Sequence, residues 1–312
     1  MPPTRRDFLA TAAAVAAGLT AGLPRPVLAS RFAQAQPVFT PLRRGVGTFT
    51  MRGGTVGWLV NAGGVAVVDT QFPPEARLLL EGLQARSGNR GVDVLLNTHH
   101  HGDHASGNPV FRGVARRVVA HGMADQHMRR APGAQQPPAA DAPEPLYPDT
   151  TFTHDWSAEV GDERIVARHH GRAHTSGDAV ITFERANVVH MGDLMFHRRH
   201  PVVDRAAGAS MRNWGRLLGR VTESHDADTI YVFGHANASL PVTGSAADLL
   251  RFRDYLEAVL AFVARHVEAG RSREEVLAMR EPLGGFAEWG PFGQPGGRDP
   301  LTVAYEEVTS GA

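Results

Sequence analysis

The segment Asn97-Thr98-His99-His100-His101-Gly102-Asp103-His104 places four histidines and a carboxylate within eight positions. Imidazole and carboxylate suit zinc, and also iron or manganese. His99 and His101, one residue apart, can converge on one ion if the chain turns tightly, and Gly102 permits that turn. Asp103 and His104 can then face a second ion from the other side. His100, between two ligands, is expected to point away, because side chains alternate along an extended chain. The chain has no cysteine, which excludes thiolate ligands, a cysteine nucleophile and a disulfide framework. All 32 basic residues are arginine, which excludes Schiff-base chemistry by lysine.

Positioning such a cluster needs a rigid element in front of it. Val92 to Leu96 reads as a buried strand running straight into the histidines, and loops at strand ends are where α/β proteins place their sites. Further strands are expected over Val46 to Thr50, Thr55 to Val60, Val65 to Val68 (ending at Asp69), Arg117 to Ala120, Ile165 to His170, Ala179 to Phe183, Val188 to Met191 and Thr229 to Phe233. A helix is expected from Pro73 to about Ala85, with Leu78, Leu79 and Leu83 inward. Others fit 211–224 and 245–269, the latter opening on Ser245-Ala-Ala-Asp248, a capping-box variant, and closing at Gly270. Ser272 caps a short helix after it. Residues 131–149 are rich in Pro and Ala and read as a long loop, either a lid or a surface excursion. No repeat or second-domain linker is visible, and the alternation of strands with helices indicates an α/β protein.

The spacing His-x-His-x-Asp-His resembles the signature of the metallo-β-lactamase superfamily. Three later elements resemble the rest of that pattern in order. They are His174-Thr175-Ser176-Gly177 within Gly171 to Asp178, Met191-Gly192-Asp193 after a strand, and Gly234-His235 after another. The resemblance covers about residues 46 to 240. It implies a four-layered αββα sandwich with the site along one edge of paired sheets. It also implies that His99, His101 and His174 bind a first metal, that Asp103, His104 and His235 bind a second, and that Asp193 bridges them. Asp103 and Asp193 are the expected catalytic carboxylates. Asp69 matches the family's first aspartate and is expected to support the ligands rather than bind metal. Two divalent ions roughly 3.5–4 Å apart can share a hydroxide and lower its pKa towards neutrality. Zinc is the first expectation for these ions, with iron or manganese as alternatives. The implied activity is attack on an ester, lactone, thioester or amide carbonyl of a small-molecule substrate. A zinc β-lactamase with a His-type second site, a mononuclear-iron persulfide dioxygenase-like oxidoreductase and a non-catalytic periplasmic metal-binding protein are the alternative readings.

His121, just after a strand, and His197, four residues beyond Asp193, could line the pocket, though an ordinary packed or solvated histidine is the commoner outcome. His169 and His170 are assigned no role, and Trp156, Trp214 and Trp289 are expected to pack rather than bind. Arg5-Arg6 precede a weakly apolar stretch from Phe8 to Leu23, followed by the small-residue sites Val27-Leu28-Ala29 and Ala33-Gln34-Ala35. This resembles a twin-arginine signal peptide over residues 1–35, cleaved between about 29 and 35, with the hydrolase domain and its C-terminal helices over 36–312. The expectation is therefore a periplasmic protein that meets the twin-arginine export machinery and has no stable membrane association once cleaved. A net charge of zero and the lack of any basic block argue against a nucleic-acid partner.

Overall fold

β-Branched runs bounded by turns dominate the first half of the domain, and they fold into one sheet. In the computed structural model, which describes residues 36–131 and 144–310, strands β1 (Val38–Pro41), β2 (Val46–Thr50), β3 (Val56–Val60) and β4 (Val65–Val68) form an antiparallel meander. β5 (Val94–Asn97), β6 (Val118–His121) and β7 (Thr150–Phe152) continue the sheet in parallel. Helix α1 (Pro73–Ser87) crosses between β4 and β5, a one-turn helix α2 (Gly102–Ala105) follows β5, and α3 (Gly122–Arg130) follows β6. The expected signal segment 1–35 and residues 132–143 of the expected loop lie outside the described residues.

A second sheet takes β8 (Asp155–Val160), β9 (Glu163–Arg168), β10 (Val180–Phe183) and β11 (Val188–His190) in sequence order. The short pair β12 (Phe196–His197) and β14 (His235–Ala236) stands apart from it, while β13 (Ile230–Val232) and β15 (Thr243–Gly244) complete the edge beyond β11. Helices α4 (Met211–Glu223), α5 (Ala246–Glu268), α6 (Arg273–Leu277) and α7 (Pro300–Ser310) close the chain.

Three apolar clusters identify the layers. Leu79 and Leu83 of α1 pack with Phe49, Val67 and Leu95 on the outer face of the first sheet. Val68, Leu96, Ile181 and Val188 meet between the sheets. Trp214, Leu218, Phe252 and Leu256 of α4 and α5 cover Val189 and Tyr231 on the far face of the second sheet. Each such buried side chain contributes about 1.5–3 kcal/mol. The order is helix, sheet, sheet, helix, which is the four-layered α/β sandwich expected.

The capping boxes form at Ser245 with Asp248 and at Ser272 with Glu275. Expected element ends shift by one to three residues; the strand placed at Ile165 to His170, for example, runs Glu163–Arg168. Several elements had no expectation, among them the short strands β12, β14 and β15 and the one-turn helix α2. β1 is a mostly exposed edge strand, β7 spans three residues and β8 alternates between exposed and half-buried positions. α3 buries Ala124 and Met128 alone, too few apolar positions to show a helical period. α7 was foreseen only as part of a helical C-terminus. Among the described residues, no helix is long and apolar enough to cross a membrane.

Candidate metal centre

β4 and β5 run parallel in one sheet, as do β11 and β13 in the other, so their C-terminal ends carry Asp69, the His99 loop, Asp193 and His235 to one edge. Backbone bonds stitch the two sheets there: Thr55 N–H to Gly234 O at 2.8 Å, and Ala179 N–H to Thr98 O at 2.8 Å. The fit at the edge is tight at two glycines. A methyl on Gly54 would overlap the His104 ring, and one on Gly234 would overlap the Asp193 carboxylate.

The seven residues singled out in the sequence converge in two sets. Ligand atoms of His99, His101, His174 and Asp193 lie within 4.8 Å of one another, as do those of Asp103, His104 and His235. Asp193 stands between the sets. Its Oδ2 is 3.6 Å from His174 Nε2 and 3.9 Å from His99 Nε2. Its Oδ1 is 2.9 Å from His104 Nε2 and 3.3 Å from His235 Nε2, without a well-aligned hydrogen bond to either. Asp103 Oδ2 completes the second set at 3.1 Å from His235 Nε2. His99 Nε2 is buried and has no hydrogen-bond partner. A buried polar atom left so costs about 1–3 kcal/mol, which a cation between the sets would remove. The all-nitrogen-and-oxygen donor set suits zinc, iron or manganese, so the residues present fit the metal that the sequence implies.

The outer ring nitrogens explain which inner ones are free. His99 Nδ1 meets Thr98 Oγ1 at 3.0 Å, His104 Nδ1 meets Asp69 Oδ2 at 2.8 Å, and His174 Nδ1 meets Val202 O at 2.8 Å. A donor Nδ1–H in each leaves an Nε2 lone pair facing the cluster. His101 is reversed: Nε2 meets Asp204 Oδ2 at 2.8 Å and Nδ1 faces inward, 2.9 Å from His174 Nε2. Asp69 is fully buried in the left-handed region at φ 66° and also accepts from Thr98 N–H and Thr98 Oγ1–H at 2.8 and 2.7 Å. That backbone costs an L-residue about 1–2 kcal/mol. Buried Asp178 holds the His174 turn by accepting from Thr175 N–H and Oγ1–H.

Charge is balanced within the cluster. Burial opposes a charged His104, but Asp193 and Asp69 outweigh it and hold its pKa well above the usual imidazole value. Burial also opposes charge on His235, yet Asp193 and Asp103 raise it to about 9. Asp193 resists the upward push of burial because His235 and His104 hold its carboxyl well below the usual range. Burial drives His174 down to about 3 and, with His104, drives His99 far down as well. His99 and His174 are therefore neutral and ready to coordinate, while His104 and His235 hold protons that a cation would displace.

The other histidines lie outside both sets. His100 turns away and packs against His127, ring centroids 4.7 Å apart. His121 caps α3 and stacks on His169 at 4.0 Å. His197 Nδ1 donates to Pro241 O. His170 is placed with Arg220, which donates to its carbonyl. Trp214 and Trp289 are buried packing residues, and Trp156 packs half-buried between the sheets. Asp204 and Val202 were missed, since neither belongs to a histidine motif and no spacing announces them. A cavity of about 390 Å³ opens beside His101, lined in part by His100, His127, Arg130, Asp204 and Arg298.

Comparisons with known proteins agree with this fold. A family model described as the metallo-beta-lactamase superfamily matches residues 50–282. A hydroxyacylglutathione hydrolase of Methylococcus capsulatus is 30% identical over 140 residues, 43% of this chain and 44% of that protein. The match thus spans under half the length of that curated relative. Among solved structures, a metallo-beta-lactamase from Pontibacter korlensis superposes with a TM-score of 0.57 at 19% identity, over 71% of this chain and 99% of that one. DIM-1 metallo-beta-lactamase gives 0.58 at 13% identity, over 71% and 97%. At such identities the two structures show a shared fold.

Proposed function

The chain belongs to the metallo-beta-lactamase superfamily, and on that footing we propose that it is a dinuclear metal-dependent hydrolase, zinc foremost, acting on an ester, lactone, thioester or amide carbonyl of a small molecule. The observation that carries this reading is Asp193, whose two oxygens face the two histidine sets separately. His99, His101 and His174 would hold one ion, Asp103, His104 and His235 the other, and Asp193 both. Ions held there supply Lewis acidity towards a carbonyl and a water acidic enough to be a nucleophile near neutral pH. Asp193 supplies the negative charge that lets two cations stand close. Asp103, the more exposed carboxylate, has its side chain 30% exposed. With Oδ2 given to the ion, its second oxygen could take a proton from the attacking water and return it to the leaving group. Asp69 and Asp204 keep the imidazoles in their binding tautomers. The hydroxyacylglutathione hydrolase likeness favours a thioester among the four classes.

The test is metal quantification on protein from its own host, followed by a panel of esters, lactones, thioesters and amides. Close to two ions per chain with turnover on the panel supports the proposal. A single iron without hydrolysis moves the reading to a persulfide dioxygenase-like oxidoreductase. Two ions without turnover leaves a metal-binding protein. Export by the twin-arginine route to the periplasm is a separate proposal, motivated by Arg5-Arg6. Replacing both by lysine should trap the precursor in the cytoplasm, and normal export of that variant would overturn it.

A further inference from the structure

Arg298 lies beyond the residues 50–282 matched by the family model, yet it reaches the back of the proposed first metal position. Its Nη2 is 2.6 Å from Asp204 Oδ2 and 2.6 Å from His101 Nε2. Its carbonyl accepts from Val203 N–H at 2.8 Å. Residues 202–204 in turn hold both neighbouring imidazoles, because Val202 O takes the His174 Nδ1 proton and Asp204 Oδ2 faces His101 Nε2. The C-terminal segment therefore grips, through one residue, the short stretch that orients His101 and His174.

Donor arithmetic decides how Arg298 acts. A guanidinium only donates. For His101 Nδ1 to offer a lone pair inward, Nε2 must carry the ring proton and give it to Asp204. Two donors, Nε2–H and Nη2–H, then share one acceptor, Asp204 Oδ2, and Arg298 influences His101 only through that carboxylate. Among the described residues the Asp204 carboxylate has one other hydrogen bond, from Ala207 N–H to Oδ1 at 3.2 Å, and His100 Nε2 stands off at 3.9 Å, which leaves Oδ2 to be fixed by Arg298. The spacing of His100, His101 and Asp204 could itself gather an ion, but the Arg298 guanidinium stands in that corner. We infer that Arg298 is a positioning residue for the first metal ion, pinning Asp204 against His101 Nε2 so that His101 Nδ1 is held ready to coordinate.

This rests on the reading of His101 as a ligand, and the two claims fail separately. The probe is cobalt(II), titrated into the metal-free full chain and followed by its visible absorption with a competing chelator. Arg298→Ala should weaken one of two binding events about tenfold, the scale for removing a partner of a metal-bound histidine, and leave the other within twofold. Asp204→Asn should weaken the same event at least as much. The double variant should be no weaker than Asp204→Asn alone, because Arg298 acts through Asp204. Unchanged affinity in Arg298→Ala, or additive losses in the double variant, overturns the inference. Should Arg298→Ala melt early, Arg298→Gln is the substitute. Glu307→Gln loosens α7 from the Met211 and Arg212 amides it caps without touching His101. If that variant reproduced the loss, Arg298 would merely dock the segment and the inference would fall. His101→Ala that still bound two ions with native affinity would instead overturn the ligand reading itself.

Discussion

Asp69→Asn isolates the role of one buried carboxylate outside the proposed ligand set. Asp69 accepts three hydrogen bonds, from Thr98 N–H at 2.8 Å, Thr98 Oγ1–H at 2.7 Å and His104 Nδ1 at 2.8 Å. Asparagine has nearly the same shape and tolerates the left-handed backbone well, so strain at φ 66° does not confound the change. With its amide nitrogen in the Oδ2 position, His104 Nδ1 must become an acceptor, and the proton moves to Nε2, where metal should bind. With the amide nitrogen in the Oδ1 position, it opposes the Thr98 N–H and two buried donors face each other. The first outcome takes about 1–3 kcal/mol from metal binding, or roughly 5- to 150-fold in affinity; the second takes a similar amount from the stability of the fold and leaves His104 Nδ1–H with an oxygen acceptor. We expect the affinity loss at the Asp103–His104–His235 position and little change at the other. Zinc or cobalt competition titrations measure it, and ring-nitrogen NMR reports the His104 tautomer. Native affinity at the second position, with the His104 proton still on Nδ1 and an unchanged melting temperature, would refute the reasoning.

Other substitutions probe the same edge. Asp193→Asn removes one anion from between the sets; hydrolysis should fall by about two orders of magnitude or more, with the second ion held weakly and circular dichroism unchanged, while full activity with two ions would end the bridging role. Gly54→Ala drives a methyl into the His104 ring; we expect about 1–3 kcal/mol of destabilisation and a lost second ion, both absent if the loop simply yields. In the metal-free protein the pKa of His235 is raised from 6.5 to about 9. The stability it contributes is complete below pH 6.5 and is lost as pH rises through 9. The melting temperature of metal-free protein should fall across that window, and that of His235→Ala should fall less, because only His104 then still carries a raised pKa.

What the sequence disclosed follows from where each partner sits. His99, His101, Asp103 and His104 share one loop, and the strand before them is a buried run of Val94, Leu95 and Leu96, so both motif and support were legible together. Asp193 and His235 were found because each follows such a run, and His174 through the resemblance of its own short motif. Asp204 gave no signal, since its partner His101 is 103 positions away, and Arg298 lies 197 positions from the same ring. Partial burial hid α3, β1 and β8, because a period shows only where one face is consistently apolar.

The tautomers show the same limit. Spacing tells that His99 and His101 leave one short segment and can meet at one ion, but not by which nitrogen. His99 is preceded by Thr98, whose hydroxyl takes its Nδ1, so its Nε2 points inward. His101 is two residues on, where the chain enters α2, and its ring presents Nδ1 to the same point while Nε2 reaches back to Asp204. Two histidines so close in sequence converge because one uses the far nitrogen of its ring and the other the near one. That arrangement needs an acceptor behind the second ring, and the chain supplies the Asp204 carboxylate, whose Oδ2 also meets Arg298 of the C-terminal segment.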